Sequence, residues 1–561
     1  MGPLMTEPLV IGVDLTQILR NEMLHDTEFE SAAKAELSGI REEVLADLFL
    51  TTDTVVLSGE AAQPHLERLR HRLEAVAQDL VKQRSSFEWL WYLRRLGGQF
   101  NWNELPSTDP YCQALAEALC EGSTAAGLVL TGEKQFNIAF PIDEAALSDL
   151  ARLREIVGLL YENHSTTRWA GKSSDIRFTR TIGPKSAPTE ELLAAVRLYD
   201  RRDEGGHNIL APAGLAADVQ SGIGLSGFPS VFPVAGQAPG TAISPAWHGT
   251  LDGPPPYGID LIDLSKVDIL TNQQIPVETR WPSSLPALLV LSMIVLHPLF
   301  NSVAGVGNVY RKFGYCYFTR DALVSWLDLT IDVLRSGEPQ FIPHDIFPED
   351  AEAVIRDLAG VGVSLYPPSR GRILHTLGHT VVVDLEAASH AIFRCLERPV
   401  NDGEYVNRWG DTFELHIQDI IDDSPWAPGA ELGQLRGRTL RLGEAWLTNI
   451  DALGALDGTL LLVSCKSRPF TQAYDRGDYG EVRNVRTLAE NSVSEWQEFL
   501  RTVQEHKVGD NYDFSGFSRI VGVVVLPFAP FVFEGSCTAE SAPGLRWVSS
   551  SQELRTWCAL S

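Results

Sequence analysis

Asn449-Ile450-Asp451-Ala452-Leu453-Gly454-Ala455-Leu456-Asp457-Gly458-Thr459-Leu460-Leu461-Leu462-Val463-Ser464-Cys465-Lys466-Ser467 is the stretch on which the reading of this chain turns. Two apolar runs flank Asp457-Gly458. An Asp-Gly pair supplies the two positive-φ positions of a tight hairpin turn, so the runs are read as paired antiparallel strands. An acidic residue enters the first strand and a lysine leaves the second. Asp451 lies six positions before Asp457, and Lys466 eight after Gly458. The offset is even but not zero, which makes the two diagonal neighbours on one face. A carboxylate and a lysine held this way can bind a divalent metal and steady a phosphate and its attacking water.

Working outward, Asp411–Asp422 reads as a helix. Asp411 is placed as its cap and Glu414 three residues on, like a capping box. Thr439–Leu447 reads as a strand, and Ile450–Leu456 with Thr459–Cys465 as the hairpin. Val485–His506 has helical spacing, with Leu488, Val493, Trp496, Leu500 and Val503 apolar. Ile520–Leu526 is apolar throughout, as in a sheet centre. The order is helix, strand, strand, strand, helix, strand.

These residues resemble the restriction-endonuclease-like nuclease superfamily, PD-(D/E)XK, over roughly residues 403–530. That family sets an Asp, then a spaced Asp/Glu-X-Lys, on two paired strands after a helix that often carries a Glu. Asp451 matches the family Asp, Lys466 the Lys and Glu414 the helix Glu. Ser464 stands where the family has a carboxylate. The resemblance implies an αβββαβ core and metal-dependent cleavage of phosphodiester bonds in DNA or RNA. It implies Mg²⁺ or Mn²⁺ held by Asp451 and Glu414, with Lys466 stabilising charge on the phosphate. Glu444, on the strand before Asp451, is the candidate to replace the missing carboxylate, and Ser464 the candidate to hold a water of the metal. A role in nucleic-acid defence or repair follows by analogy of fold alone. The alternative is a binding or scaffold protein whose nuclease-like domain is degenerate, which Ser464 and the net charge favour.

That charge is −27, from 46 Lys and Arg against 73 Asp and Glu. It repels nucleic acid at long range, so a nucleic-acid enzyme requires an uneven distribution. From Glu431 to Arg486 there are eight basic residues against seven acidic ones, and from Tyr161 to Pro188 five against two. The loop Ser467–Arg483 carries Arg468, Tyr474, Arg476, Tyr479 and Arg483, residue types suited to phosphates and bases. Seven widely spaced cysteines without a CxxC pair point to reduced thiols in the cytoplasm rather than to a zinc module. The apolar run Leu285–His297 is broken by Pro286 and His297 and is too short for a membrane span, so it reads as a buried helix.

At 561 residues the chain calls for several domains, an α/β multidomain architecture. Residues 1–205 read as a mixed α/β domain. Expected there are strands Leu9–Val13 and Thr54–Leu57, a helix Glu28–Leu48, one long helical run Ala61–Leu96, a strand Gly127–Leu130 and a helix Glu144–Leu160. Asp14 ends the first strand without the residues that complete an ATPase or a PIN-type nuclease site. Residues 206–260 read as a Gly/Pro-rich connection, since 17 of the 50 residues from Ala211 to Asp260 are Gly or Pro. Its Gly222-Ile223-Gly224-Leu225-Ser226-Gly227 lacks the strand–helix context of a phosphate cradle. Residues 261–400 read as mostly helical, with helices at Arg320–Arg335 and Asp350–Leu358 and a strand Val381–Asp384. His375 and His379 are spaced as helical zinc ligands, but Gly378 favours a turn. Residues 401–561 form the nuclease-like domain, and the first 400 are expected to recognise a substrate, a protein partner or a signal.

Overall fold

A computed structural model of the chain describes residues 27–96, 109–125, 143–190, 229–234, 258–263, 285–296, 314–336, 344–359, 371–394, 403–468, 477–528 and 539–560, with a few single positions between them. Leu9–Val13, Asp14, Arg476 and the Gly222–Gly227 segment lie outside them, as does nearly all of Gly127–Leu130. The architecture is mixed α/β, with several small sheets.

The N-terminal region contains α1 (Thr27–Val44), β1 (Thr54–Leu57), α2 (Gly59–Val81), α3 (Ser86–Leu96), α4 (Asp109–Cys120), α5 (Glu144–Gly171), β2 (Asp175–Thr179) and β3 (Gly183–Ala187). The apolar stripe Leu66, Leu69, Leu73, Val76 and Leu80 is buried as its spacing requires. The expected single run divides into α2 and α3 because the Ser85 hydroxyl accepts the Glu88 N–H and starts a new helix. Strands β1, β2 and β3 form an antiparallel sheet that buries Ile176 and Phe178 against the helices.

Among its described residues the middle region is mostly helical, with short strands between the helices. It contains β4 (Pro229–Val234), β5 (Gly258–Asp263), α6 (Leu285–Leu296), β6 (Tyr315–Thr319), α7 (Arg320–Ser336), α8 (Ala351–Ala359), β7 (Leu374–Leu377), β8 (Thr380–Asp384) and α9 (Leu385–Arg394). Strands β4 and β5 pair in parallel across the Gly/Pro-rich segment, which is therefore not all connection. Strands β6, β8 and β7 form an antiparallel sheet, with α6 at the centre of the adjoining core. Helix α6 has 12 residues, and among the described residues no helix is long and apolar enough to cross a membrane. His375 is buried on β7, and Gly378 turns with φ 71° before β8, so the two histidines share no helix.

One ion cluster joins the first two regions. The Arg94 guanidinium donates to Glu117 at 2.5 and 2.8 Å and to Asp384 at 3.1 Å, with all three side chains at most 1% exposed. Burial pushes the Asp384 carboxyl up while Arg94 pulls it back.

The C-terminal region contains α10 (Gly403–Asp422), α11 (Ala430–Gly433), β9 (Thr439–Leu442), β10 (Ala445–Asn449), β11 (Ala452–Leu456), β12 (Thr459–Cys465), α12 (Tyr479–Glu505), β13 (Arg519–Leu526), β14 (Glu540–Ala542), β15 (Leu545–Arg546), β16 (Val548–Ser550) and α13 (Ser551–Leu560). The main sheet has the order β11-β12-β13-β16, antiparallel at its first pairing and parallel at the next two. Alternation divides its side chains. Leu461, Val463, Val521, Val523 and Val525 meet α10 and α13, while Leu460, Leu462, Val524 and Leu526 meet α12. The expected strand Thr439–Leu447 is instead a separate two-stranded ribbon, β9–β10, turned at Gly443 with φ 62°.

Candidate functional site

The hairpin has the register that its turn demands. Asp457 (φ 46°) and Gly458 (φ 74°) both adopt the left-handed conformation, and Leu456 pairs with Thr459 through to Ala452 with Val463. Just beyond that ladder the Asp451 N–H donates to the Val463 carbonyl at 3.3 Å and its carboxylate meets the Ser464 hydroxyl, with Lys466 two residues further along the chain. The Lys466 N–H donates to the Val525 carbonyl at 2.9 Å, which fixes the lysine as an extension of β12.

Helix α10 brings the third residue. Gln418 is buried, accepts the Leu453 N–H at 2.9 Å and donates to the Leu453 carbonyl at 3.0 Å. It thereby pairs the free backbone of edge strand β11. One helical turn earlier, about 5.4 Å along the axis, Glu414 arrives beside Asp451. The helix starts at Gly403, so Asp411 is an exposed residue within it and not its cap. The capping box is corrected accordingly. Asp411 adds negative charge one turn from Glu414 instead.

The electrostatics show that these groups sense one another. Burial, then Asp451 and Asp411, push the Glu414 carboxyl up to about 7, against the pull of Arg436 and Lys466. Burial also raises Asp451, opposed by the Cys465 N–H, which donates to its Oδ2 at 2.6 Å, by Lys466 and by the Ser464 hydroxyl. The Asn449 amide reaches Asp451 Oδ1 at 3.4 Å. Cys465 is buried, and burial together with Asp451 and Glu414 holds its thiol well above the usual range, so it is no nucleophile here. Lys466 forms no ion pair within 4.0 Å among the described residues.

Two oxygen-bearing carboxylates and a hydroxyl are the donor types a hard divalent cation takes. Glu414 and Asp451 repel each other, and burial already penalises both charges. A cation between them would relieve both effects, so the residues fit Mg²⁺ or Mn²⁺ in kind. Among the described residues, however, no group of three or more His, Cys, Asp or Glu side chains is gathered closely enough to hold a metal. Glu444 does not supply the third. It is exposed at the tip of the β9–β10 ribbon, beside Gly443, while Asp451 follows the ribbon's other end.

The Arg- and Tyr-rich loop is also redistributed. Tyr474 is 2% exposed in the core, and its hydroxyl accepts the Phe531 N–H at 2.8 Å. Arg468 is ion-paired with Glu481 at 2.6 Å. Tyr479 opens α12, with the Arg483 guanidinium 6.0 Å from its ring centroid. The sequence reading missed Arg436 and Gln418. Arg436 reaches the site through a parallel bridge to Ile450, a pairing with no local signal. Gln418 is legible only as the residue four after Glu414 on one helix face.

Comparison with protein-family models, curated proteins and solved structures returns no match. The functional reading therefore rests on this geometry and on the motif.

Proposed function

We propose that the C-terminal region is a metal-dependent nuclease with a restriction-endonuclease-like αβββαβ core. The observation that carries the reading is the convergence of Glu414, Asp451 and Lys466 at one end of the β11–β12 hairpin. Helix α10, the β11–β12 hairpin, α12 and β13 follow the order of that core, while the first of its three strands has no counterpart in the main sheet, since β10 pairs with β9 in the separate ribbon. In this reading Asp451 and Glu414 hold a Mg²⁺ or Mn²⁺ ion. When bound, the ion supplies Lewis-acid polarisation of a phosphoryl oxygen and a water of lowered pKa. Lys466 sets a fixed positive charge where negative charge gathers on the phosphate. The Cys465 N–H fixes the Asp451 carboxylate, and the Ser464 hydroxyl beside it orients a water. With its carboxyl pushed up to about 7, Glu414 would shed its proton to act as a ligand, so ion binding would strengthen as pH rises through that value.

The test is cleavage of single- and double-stranded DNA and RNA, with and without chelator. Asp451→Ala and Lys466→Ala are each expected to abolish cleavage while the protein stays folded, a loss of roughly 3 kcal/mol or more of transition-state stabilisation. Unchanged cleavage in both variants would reject the site.

Ser464 supports a second reading, a degenerate domain that binds but does not cut. A wild type that cuts nothing, and a Ser464→Glu variant that does, would establish it.

A further inference from the structure

The β9–β10 ribbon has a side that the fold does not use. Leu440 is fully buried and Leu447 packs beside it against the sheet core, as in an amphipathic two-stranded element. On the outer side Arg441 pairs directly across from Trp446. The Arg441 guanidinium lies 4.4 Å from the indole centroid, and Trp446 is 68% exposed. Exposing so much indole is costly in water, at about 25 cal/mol per Å² of apolar surface. The backbone that carries its partner is nevertheless fixed. Asn511 accepts the Arg441 N–H at 2.8 Å and donates to the Thr439 carbonyl at 2.9 Å. Asp510 accepts the Gly443 N–H at 3.2 Å. The ribbon is thus pinned, and Arg441 covers one face of the ring. A planar ligand on the ring would meet a preset surface at little ordering cost.

Charge identifies that ligand. Residues 436–449 hold three arginines, Arg436, Arg438 and Arg441, against one acid, Glu444, in a chain of net charge −27. An exposed indole beside arginines suits an unstacked base with its flanking phosphates. A base within a duplex offers no open face to such a ring. Position agrees as well. Arg436 bridges Ile450, the neighbour of Asp451, so the ribbon rises from the candidate site. Trp446 is five residues from Asp451. At a strand rise of about 3.3 Å this is roughly 16 Å, or about five stacked nucleotides.

We propose that the β9–β10 ribbon is a platform for single-stranded nucleic acid, on which Trp446 stacks a base while Arg438 and Arg441 hold adjacent phosphates. The proposal rests on the nuclease reading and names its substrate class as single-stranded or locally unpaired. The experiment is fluorescence anisotropy of the full chain with labelled oligo-dT and oligo-U, and with a duplex of equal length, in chelator. Trp446→Ala is expected to weaken single-strand binding by about 5- to 100-fold. Trp446→Phe should retain most of the binding, because a ring still stacks. Arg441→Ala should reduce the slope of log affinity against log salt by about one. Thermal melts of each variant exclude unfolding as the cause. The proposal is overturned if Trp446→Ala binds like wild type, if duplex binds as well as single strand, or if wild type binds neither. Chelator removes cleavage from the measurement. A wild type inert on every substrate, with binding still dependent on Trp446, would therefore sink the nuclease reading and leave the platform standing.

Discussion

Replacing Glu414 with glutamine should stabilise the protein at pH 8 and do so much less at pH 5. Burial and the neighbouring Asp451 raise this carboxyl from 4.5 to about 7. In the unfolded chain it ionises near its ordinary value, about 4.3. Below that value it is protonated in both states and contributes nothing to the difference. As pH rises towards 7, the unfolded chain gains a charge that the folded protein resists, so stability falls. Above 7 the deficit is complete. At about 1.4 kcal/mol per pKa unit it would reach about 3.5 kcal/mol for a fully enclosed group. Glu414 is only half-buried, and solvent screening reduces the figure to about 1–2 kcal/mol. Urea unfolding of wild type and Glu414→Gln at pH 5, 6, 7 and 8 measures the difference directly. The gap should open with pH and level off above 7. Millimolar Mg²⁺ should narrow it at pH 8, by stabilising the wild-type anion. A gap independent of pH, or a variant less stable than wild type at pH 8, would refute the account of this site.

Arg94→Met should destabilise the fold by about 3–5 kcal/mol, read by urea or thermal melting, because it strands Glu117 and Asp384 as buried acids. Gly477→Ala should destabilise by about 2 kcal/mol or more and increase proteolysis near that loop. Its φ is +80°, and an added Cβ would stand 2.3 Å from the Arg168 Cα. Ser464→Glu should tighten Mg²⁺ or Mn²⁺ binding by about tenfold or more in calorimetry, since it adds a charged ligand beside Asp451. Equal affinity would remove Ser464 from the site.

The parts of this fold visible in the sequence were those with local causes. Asp457-Gly458 dictates a turn, the turn dictates register, and register brings Asp451 beside Ser464 and near Lys466. The stripe from Leu66 to Leu80 is a matter of period alone. What escaped was non-local or ambiguous. Asp411 has the chemistry of a cap yet lies inside α10, because nothing between Gly403 and Asp422 breaks the helix. Gly443-Glu444 carries a weak turn signature, which hid the ribbon and put Glu444 on the wrong element. Tyr474 resembles a binding residue in a polar loop, and only its burial against Phe528, with its hydroxyl accepting the Phe531 N–H, shows that it belongs to the core. Arg436 enters the site by pairing across the chain, which no spacing rule announces.

Gln63 Nε2 donates to the Gly477 carbonyl at 2.8 Å, and a Cβ on Gly171 would stand 2.5 Å from that same oxygen. Backbone here touches backbone: the end of α5, in the N-terminal region, rests on the residue before the Asp478 cap of α12. Where main chain meets main chain at Gly171 and Gly477, neither residue has a side chain that could be exchanged to adjust the fit. The two regions consequently meet along a closely fitted seam. A C-terminal fragment cut near residue 401 would carry an uncovered notch at the base of α12. A chimera that exchanges the first region for a foreign one would have to bring its own matching helix end.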